Sequence, residues 1–135
     1  MSSFQAISTD KLFRLLGTPN APVLIDVRTE EDFAADPRLI PGALRLSYSS
    51  ASSWASRFSG QTTIAVCQKG KKLAEGTAAW LRQAGATSEV LDGGFEAWRA
   101  AKLPLVSAAN VPKPDAEGRT VWVTRARPKV DRIAC

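Results

Sequence analysis

The 135-residue chain contains no histidine. Its absence excludes Ser-His-Asp and Cys-His catalysis, in which an imidazole takes the nucleophile's proton, so any nucleophile here must be activated otherwise. Cysteine is scarce as well: only Cys67 and Cys135, the second of them the last residue. Two distant thiols without an imidazole neither assemble a four-ligand zinc site nor make a disulfide framework. No apolar run approaches the ~20 residues of a membrane helix. The opening MSSFQAISTDK has neither a basic stretch nor a long apolar one. No secretory signal, metal, cofactor or membrane partner is therefore expected, and a reducing, cytoplasmic compartment is.

The net charge is +5, yet residues 1–109 hold twelve Lys/Arg against ten Asp/Glu, while residues 110–135 hold six against three. The excess lies mostly on a short tail whose one aromatic is Trp122. That is no basic stripe with stacking platforms, so a solvated surface is expected and no nucleic-acid partner.

What the chain does have is an alternation of short apolar runs with helical segments. Phe4 to Ile7 reads as a short strand, and Ser8 or Thr9 caps a helix marked by Leu12, Phe13, Leu15 and Leu16 and closed by Gly17. VLIDVR is the unbroken run of a strand covered on both faces, followed by Thr29 as cap of the acidic helix EEDFAA. DPRLIPG reads as a loop and ALRLS as a strand; Trp54 and Phe58, four apart, indicate a short packed helix inside the Ser-rich stretch. TTIAVC, a helix over KKLAEGTAAWLRQAG facing inward with Leu73, Ala74, Thr77, Trp80 and Leu81, then SEVLD and GFEAWRAAK complete the series. Such repeats predict an α/β fold: a mostly parallel sheet with helices on both faces, occupying residues 1–102. Residues 103–118 read as a proline-punctuated linker too broken to pack, and residues 119–135 as a tail or the start of a second domain not completed in this chain.

The stretch IAVCQKGKK places Cys67 where a buried strand ends, with Lys69, Lys71 and Lys72 behind it. Ligand sites in open α/β sheets lie at the carboxyl ends of the strands. A short loop entering a helix there turns backbone N–H groups toward one spot, and Gly70 supplies the positive φ that tight wrapping demands. Those donors, the helix N-terminus and the lysines make a cradle that stabilises a thiolate, so Cys67 is expected to be a nucleophile. Spacing removes three rivals: position 73 is Leu rather than the arginine of a Cys-x5-Arg phosphatase, position 70 is Gly rather than a second cysteine, and Ala65 with Lys72 breaks a Walker A pattern. Asp26 and Arg28, ending the VLIDVR strand, read as an ion pair supporting the loop rather than as chemistry.

The set LIDVR, IPGA, VCQKGKK and LDGGFEAW, in that order, resembles a single-domain rhodanese of the sulfurtransferase family over residues 4 to about 102. The resemblance implies a rhodanese-like sheet of about five strands, with sulfur carried as a persulfide on Cys67. The N–H groups of Gln68, Lys69, Gly70, Lys71 and Lys72 would hold the persulfide or an incoming oxyanion. It also implies a small anionic sulfur donor such as thiosulfate, or a persulfide donor, and a thiol or cyanide acceptor. Two departures stand out. Arg38 and Leu39 replace the Gly-His usual before IPGA, at the entrance to the site, and lysine replaces the common arginine at the end of the loop. TVWVTRARPKVDRIAC is similar to the start of a chromate-resistance domain, which implies a C-terminal fusion partner absent from this chain. The alternative reading is an oxyanion-binding or redox-sensing regulatory module, for chromate or arsenate stress, without turnover.

Overall fold

The apolar runs of the sequence lie side by side in the computed structural model, which describes residues 6–110. Five strands form one sheet: β1 (Ala6–Ile7), β2 (Val23–Asp26), β4 (Leu44–Arg45), β5 (Thr62–Val66) and β6 (Thr87–Leu91). Their order is β1-β6-β5-β2-β4, with every pairing parallel. In register, Ile25 lies opposite both Leu44 and Ala65, and Ile64 lies between Leu24 and Glu89. The two central strands carry unbroken apolar runs, residues 23–25 and 64–66, because both of their faces are covered.

One face carries α3 (Ala51–Trp54), the 3-10 turn Ala55–Phe58 and α4 (Lys72–Gln83); Trp54, Phe58, Ala74, Ala78 and Leu81 pack there on Ile25, Ala65 and Val90. On the other, α1 (Thr9–Leu15) and α5 (Gly94–Ala100) bury Leu12, Phe95 and Trp98 against Leu24, Ile64 and Leu91. Ser8 caps α1 by accepting the Lys11 N–H, and Thr29 caps α2 (Glu30–Ala35) by accepting that of Asp32. Among the described residues no helix is long and apolar enough to cross a membrane.

The structure corrects several expectations. Trp80 is 42% exposed, and Ala78 takes the place given to it on the inner face of α4. Phe13 is likewise 42% exposed, its ring edge-on to Trp98. The stretch read as the loop DPRLIPG contains β3 (Arg38–Leu39), which pairs antiparallel with β7 (Val106–Ser107). The segment after Lys102 is thus not too broken to pack over its described part. Leu103, Leu105, Val106 and Ala108 rest on the core, and the Trp98 indole donates to the Pro104 carbonyl at 2.7 Å. The four apolar residues that reach the core outweigh the segment's prolines. The tail, its second-domain reading and Cys135 lie outside the described residues.

The order of strands fixes where a ligand can enter. From β2 the chain crosses to β4 on one side, and from β5 it crosses to β6 on the other. The crevice between the carboxyl ends of β2 and β5 is therefore the topological switch point of the sheet.

Candidate active site

Cys67 is the first residue beyond β5, beside that switch point, and is 4% exposed as an unpaired thiol. The chain then needs only Gln68 to Lys71 to reach α4. Gly70 makes the turn with φ +72°, and the N–H of Lys71, the N-cap residue, donates to the Cys67 sulfur at 3.2 Å. Lys72, Leu73 and Ala74 begin the helix, so their N–H groups have no carbonyl four residues back to bond. One backbone donor is thus on the sulfur, and three more follow it around the first turn.

The loop is held from the far side by the N-terminus of α5. Phe95 N–H donates to the Cys67 carbonyl at 2.8 Å and Glu96 N–H to the Gln68 carbonyl at 3.0 Å. With the carbonyls of Cys67 and Gln68 turned toward α5, the first peptide units of the loop are oriented by backbone hydrogen bonds. The approach is backbone on backbone: a Cβ on Gly70 would stand 2.6 Å from the Leu91 carbonyl oxygen and 2.9 Å from the nitrogens of Gly93 and Gly94. A Cβ on Gly94 would overlap the Cys67 carbonyl and the Gly70 nitrogen. Gly93 and Gly94 also have positive φ, 75° and 64°. Sequence reasoning quoted this glycine pair but assigned it no place in the site; two adjacent glycines opening a helix were the available signal. The side chain of Gln68 donates to Glu96 at 3.1 Å, leaving its buried Oε1 without a partner among the described residues.

Lys69, Lys71 and Lys72 are exposed around the loop, and none enters an ion pair among the described residues. Asp26 and Arg28 are 1% and 2% exposed. The Arg28 Nε donates to both oxygens of Asp26, at 3.2 and 3.0 Å, and its two Nη atoms donate to the carbonyls of Asp36 and Arg38. Burial pushes the Asp26 carboxyl above its ordinary range, opposed by the charge and N–H groups of Arg28, and burial pulls the Arg28 guanidinium down, opposed by Asp26. Among the described residues no direct bond joins this pair to the loop. Arg28 reaches it through Phe95, whose ring lies 3.8 Å below the guanidinium. Arg38 and Leu39 belong to β3, where Arg38 binds Asp36 and Leu39 is buried. No group of carboxylates and thiols among the described residues is placed to hold a metal ion.

In chemical terms this is a single thiol at a sheet's switch point, with oriented backbone donors and exposed positive charge around it. It suits capture of an anion or of a negatively charged sulfur.

Known proteins give the same frame. The chain superposes with a TM-score of 0.67 on a thiosulfate sulfurtransferase from Pseudomonas aeruginosa, 26% identical, covering 79% of this chain but only 20% of that one. A rhodanese-like domain protein from Staphylococcus aureus is 25% identical with a TM-score of 0.61, over 70% of this chain and 91% of the other. A Rhodopseudomonas palustris protein named as a possible tyrosine phosphatase, 23% identical with a TM-score of 0.60 over 76% and 85%, shares the fold alone. No curated protein matches the sequence. The Rhodanese-like domain family matches residues 8–101, and the chain belongs to that family.

Proposed function

We propose that the protein is a sulfurtransferase that carries sulfane sulfur on Cys67. The observation that carries this reading is the Lys71 N–H aimed at the Cys67 sulfur from 3.2 Å, in a loop whose carbonyls are tied to α5. The name of the Pseudomonas aeruginosa relative supports thiosulfate as a donor.

The Cys67 thiolate attacks the outer sulfur of thiosulfate. A Cys67–S bond forms, the S–S bond of thiosulfate breaks, and its electron pair leaves on sulfite. Charge is conserved: a monoanion and a dianion enter, and a persulfide monoanion and a sulfite dianion result. The lysines draw the dianion in, and the first-turn donors of α4 take the negative charge that the outer sulfur then bears. A thiolate or cyanide next attacks the outer sulfur, leaving as a persulfide or as thiocyanate, and the electron pair of the broken bond returns to Cys67. The route is ping-pong.

Intact-protein mass spectrometry after incubation with thiosulfate tests the proposal. One added sulfur atom, released as thiocyanate by cyanide and absent in Cys67→Ser, is the expected result. Failure to acquire sulfur from thiosulfate or from a small persulfide, together with saturable binding of an oxyanion, would replace catalysis by an oxyanion-binding role.

A further inference from the structure

Two of the large hydrophobic side chains open to solvent among the described residues, Tyr48 at 37% and Trp80 at 42%, belong to one surface. Tyr48 lies on Gly76: a Cβ there would stand 2.7 Å from the phenol oxygen and 3.2 Å from a ring carbon. Trp80 is one turn beyond Gly76 on α4, and the partly buried Leu73 is one turn before it, so the three share a helix face with the Tyr48 ring beside them. Leu73 and Tyr48 also line one cleft, beyond the ends of β2 and β4. The result is an apolar strip along α4. It starts in the first turn of the helix, two residues beyond the Lys71 N–H that is on the Cys67 sulfur. We infer that this strip is a docking surface for an acidic segment of another protein, one in which carboxylates flank an aliphatic or aromatic side chain.

The strip is built rather than left over from packing. The indole N–H of Trp54 donates to the Ser47 carbonyl and that of Trp98 to the Pro104 carbonyl, whereas that of Trp80 has no acceptor among the described residues. Gly76 sits inside α4, where glycine is less favourable than alanine. Its missing side chain is what lets the Tyr48 ring lie on the helix, so an exposed aromatic is held in one place. Fixed Tyr and Trp side chains are the usual anchors of protein interfaces, because they bury a large apolar area at little cost in rotamer freedom.

Charge decides the kind of segment. Lys71 and Lys72 head the strip and Lys69 lies just before them; all three are exposed, and none enters an ion pair among the described residues. Of the carboxylates nearby, Glu30 across the cleft is faced by Arg45 at 3.6 Å, and Glu75 lies on the other flank of α4 from Trp80. The strip is therefore apolar with a positive end. It repels the chain's own residues 110–135, which hold six Lys/Arg against three Asp/Glu, and a second copy of the strip is as positive as the first. Carboxylates on a partner would meet the lysines, steer the encounter and fix its register, while the apolar side chain packed on Tyr48 and Trp80 supplies the affinity.

The test uses the full chain and a fluorescein-labelled synthetic peptide in which glutamates flank a central leucine–phenylalanine pair. Two control peptides carry lysine in place of glutamate, or serine in place of the apolar pair. Fluorescence anisotropy should show saturable binding of the first peptide, and binding weaker by about tenfold or more for each control. In nuclear magnetic resonance titrations the Trp80 indole N–H should shift, while those of the buried Trp54 and Trp98 stay in place. Trp80→Ser, at an exposed position, should weaken binding about tenfold. Lys72→Glu should weaken it at low ionic strength, with the difference narrowing as salt is added. No saturable binding, equal binding of either control peptide, or binding unchanged in Trp80→Ser overturns the inference. Self-association of the chain that Trp80→Ser abolishes would assign the strip to a second copy and overturn it too. Whether Cys67 takes sulfur from thiosulfate is read separately by intact mass, so failure here leaves sulfur transfer standing.

Discussion

The guanidinium of Arg28 lies 3.8 Å from the centroid of the Phe95 ring, and the N–H of that phenylalanine closes on the carbonyl of Cys67. A buried ion pair at the end of β2 is thereby linked to the loop through one stacked ring. Arg28→Met would leave the buried Asp26 with the backbone N–H of residue 28, at 3.0 Å, and with Arg45, 3.8 Å away. Removing one member of a buried pair costs about 3–5 kcal/mol, and the residual arginine argues for the lower end. Arg28→Lys keeps the charge but loses the fork and the stacking, and should recover only part of the loss. Urea unfolding of the three proteins measures this, and a change under about 1 kcal/mol for Met would contradict the buried-pair account.

Gly94→Ala should disturb the site most for the smallest change. The added methyl group overlaps the Cys67 carbonyl and the Gly70 nitrogen, at a residue whose φ is +64°. Left-handed backbone costs a non-glycine residue roughly 1–2 kcal/mol and overpacking roughly 1–3 more. Gly17→Ala supplies the comparison, since φ there is +80° with nothing within 4 Å of the new Cβ. Gly94→Ala should lose about 2–5 kcal/mol and change the rate at which iodoacetamide alkylates Cys67, whereas Gly17→Ala should show the backbone cost alone.

Lys69, Lys71 and Lys72 are exposed, so their effect should be one of attraction and should be screened by salt. Replacing all three with Gln is expected to slow persulfide formation from thiosulfate roughly tenfold at low ionic strength. The gap should narrow toward 1 M salt, where the screening length is about 3 Å. A salt-independent gap would mean that the lysines act on loop structure instead.

The strand ends, the place of Cys67 and the turn at Gly70 were legible because each follows from local pattern: an apolar run that stops, a helix that starts, and too few residues between them. The grip of Phe95 and Glu96 on the loop was not, because it depends on β6 lying beside β5, which is a matter of strand order. Trp80 was misplaced for a different reason. The inner face of α4 is made of Ala74, Thr77, Ala78 and Leu81, small residues that suit close packing on the sheet, so the largest apolar side chain gave a false direction. A cleft beyond the ends of β2 and β4 is lined by residues 27–30, residues 45 and 47–49, and Leu73, three separate segments, and no single stretch of sequence announces it.

Asp36 links α2 to α5 by accepting from Arg38 at 2.7 Å and from Arg99 at 2.9 Å. The hydrogen bond from Arg38, with that from Arg99, holds its carboxyl well below the usual carboxylate range. A depressed folded-state value means that the stability contributed is present above the unfolded value of about 3.9 and is lost as pH falls toward the folded one. Asp36→Asn should therefore lower the urea midpoint at pH 7, and the difference from the parent protein should close as the pH is taken down from about 5. A difference that stays constant with pH would assign the effect to packing.

Ending the chain at Lys102 should weaken the fold, although the alternation of strands and helices is complete by then. Such a truncation removes Leu103, Leu105, Val106 and Ala108 from the core and strips β3 of its only partner strand among the described residues. It also leaves the indole N–H of Trp98 without the Pro104 carbonyl, on a residue that is 0% exposed. An orphaned buried donor alone costs about 1–3 kcal/mol, and each partly buried aliphatic side chain adds a fraction of the ~1.5–3 kcal/mol of full burial. A chain of residues 1–102 should therefore be less stable than one of residues 1–110 by about 3–5 kcal/mol in urea unfolding. Equal midpoints would restore the boundary at Lys102 and make β7 an ornament on a finished domain.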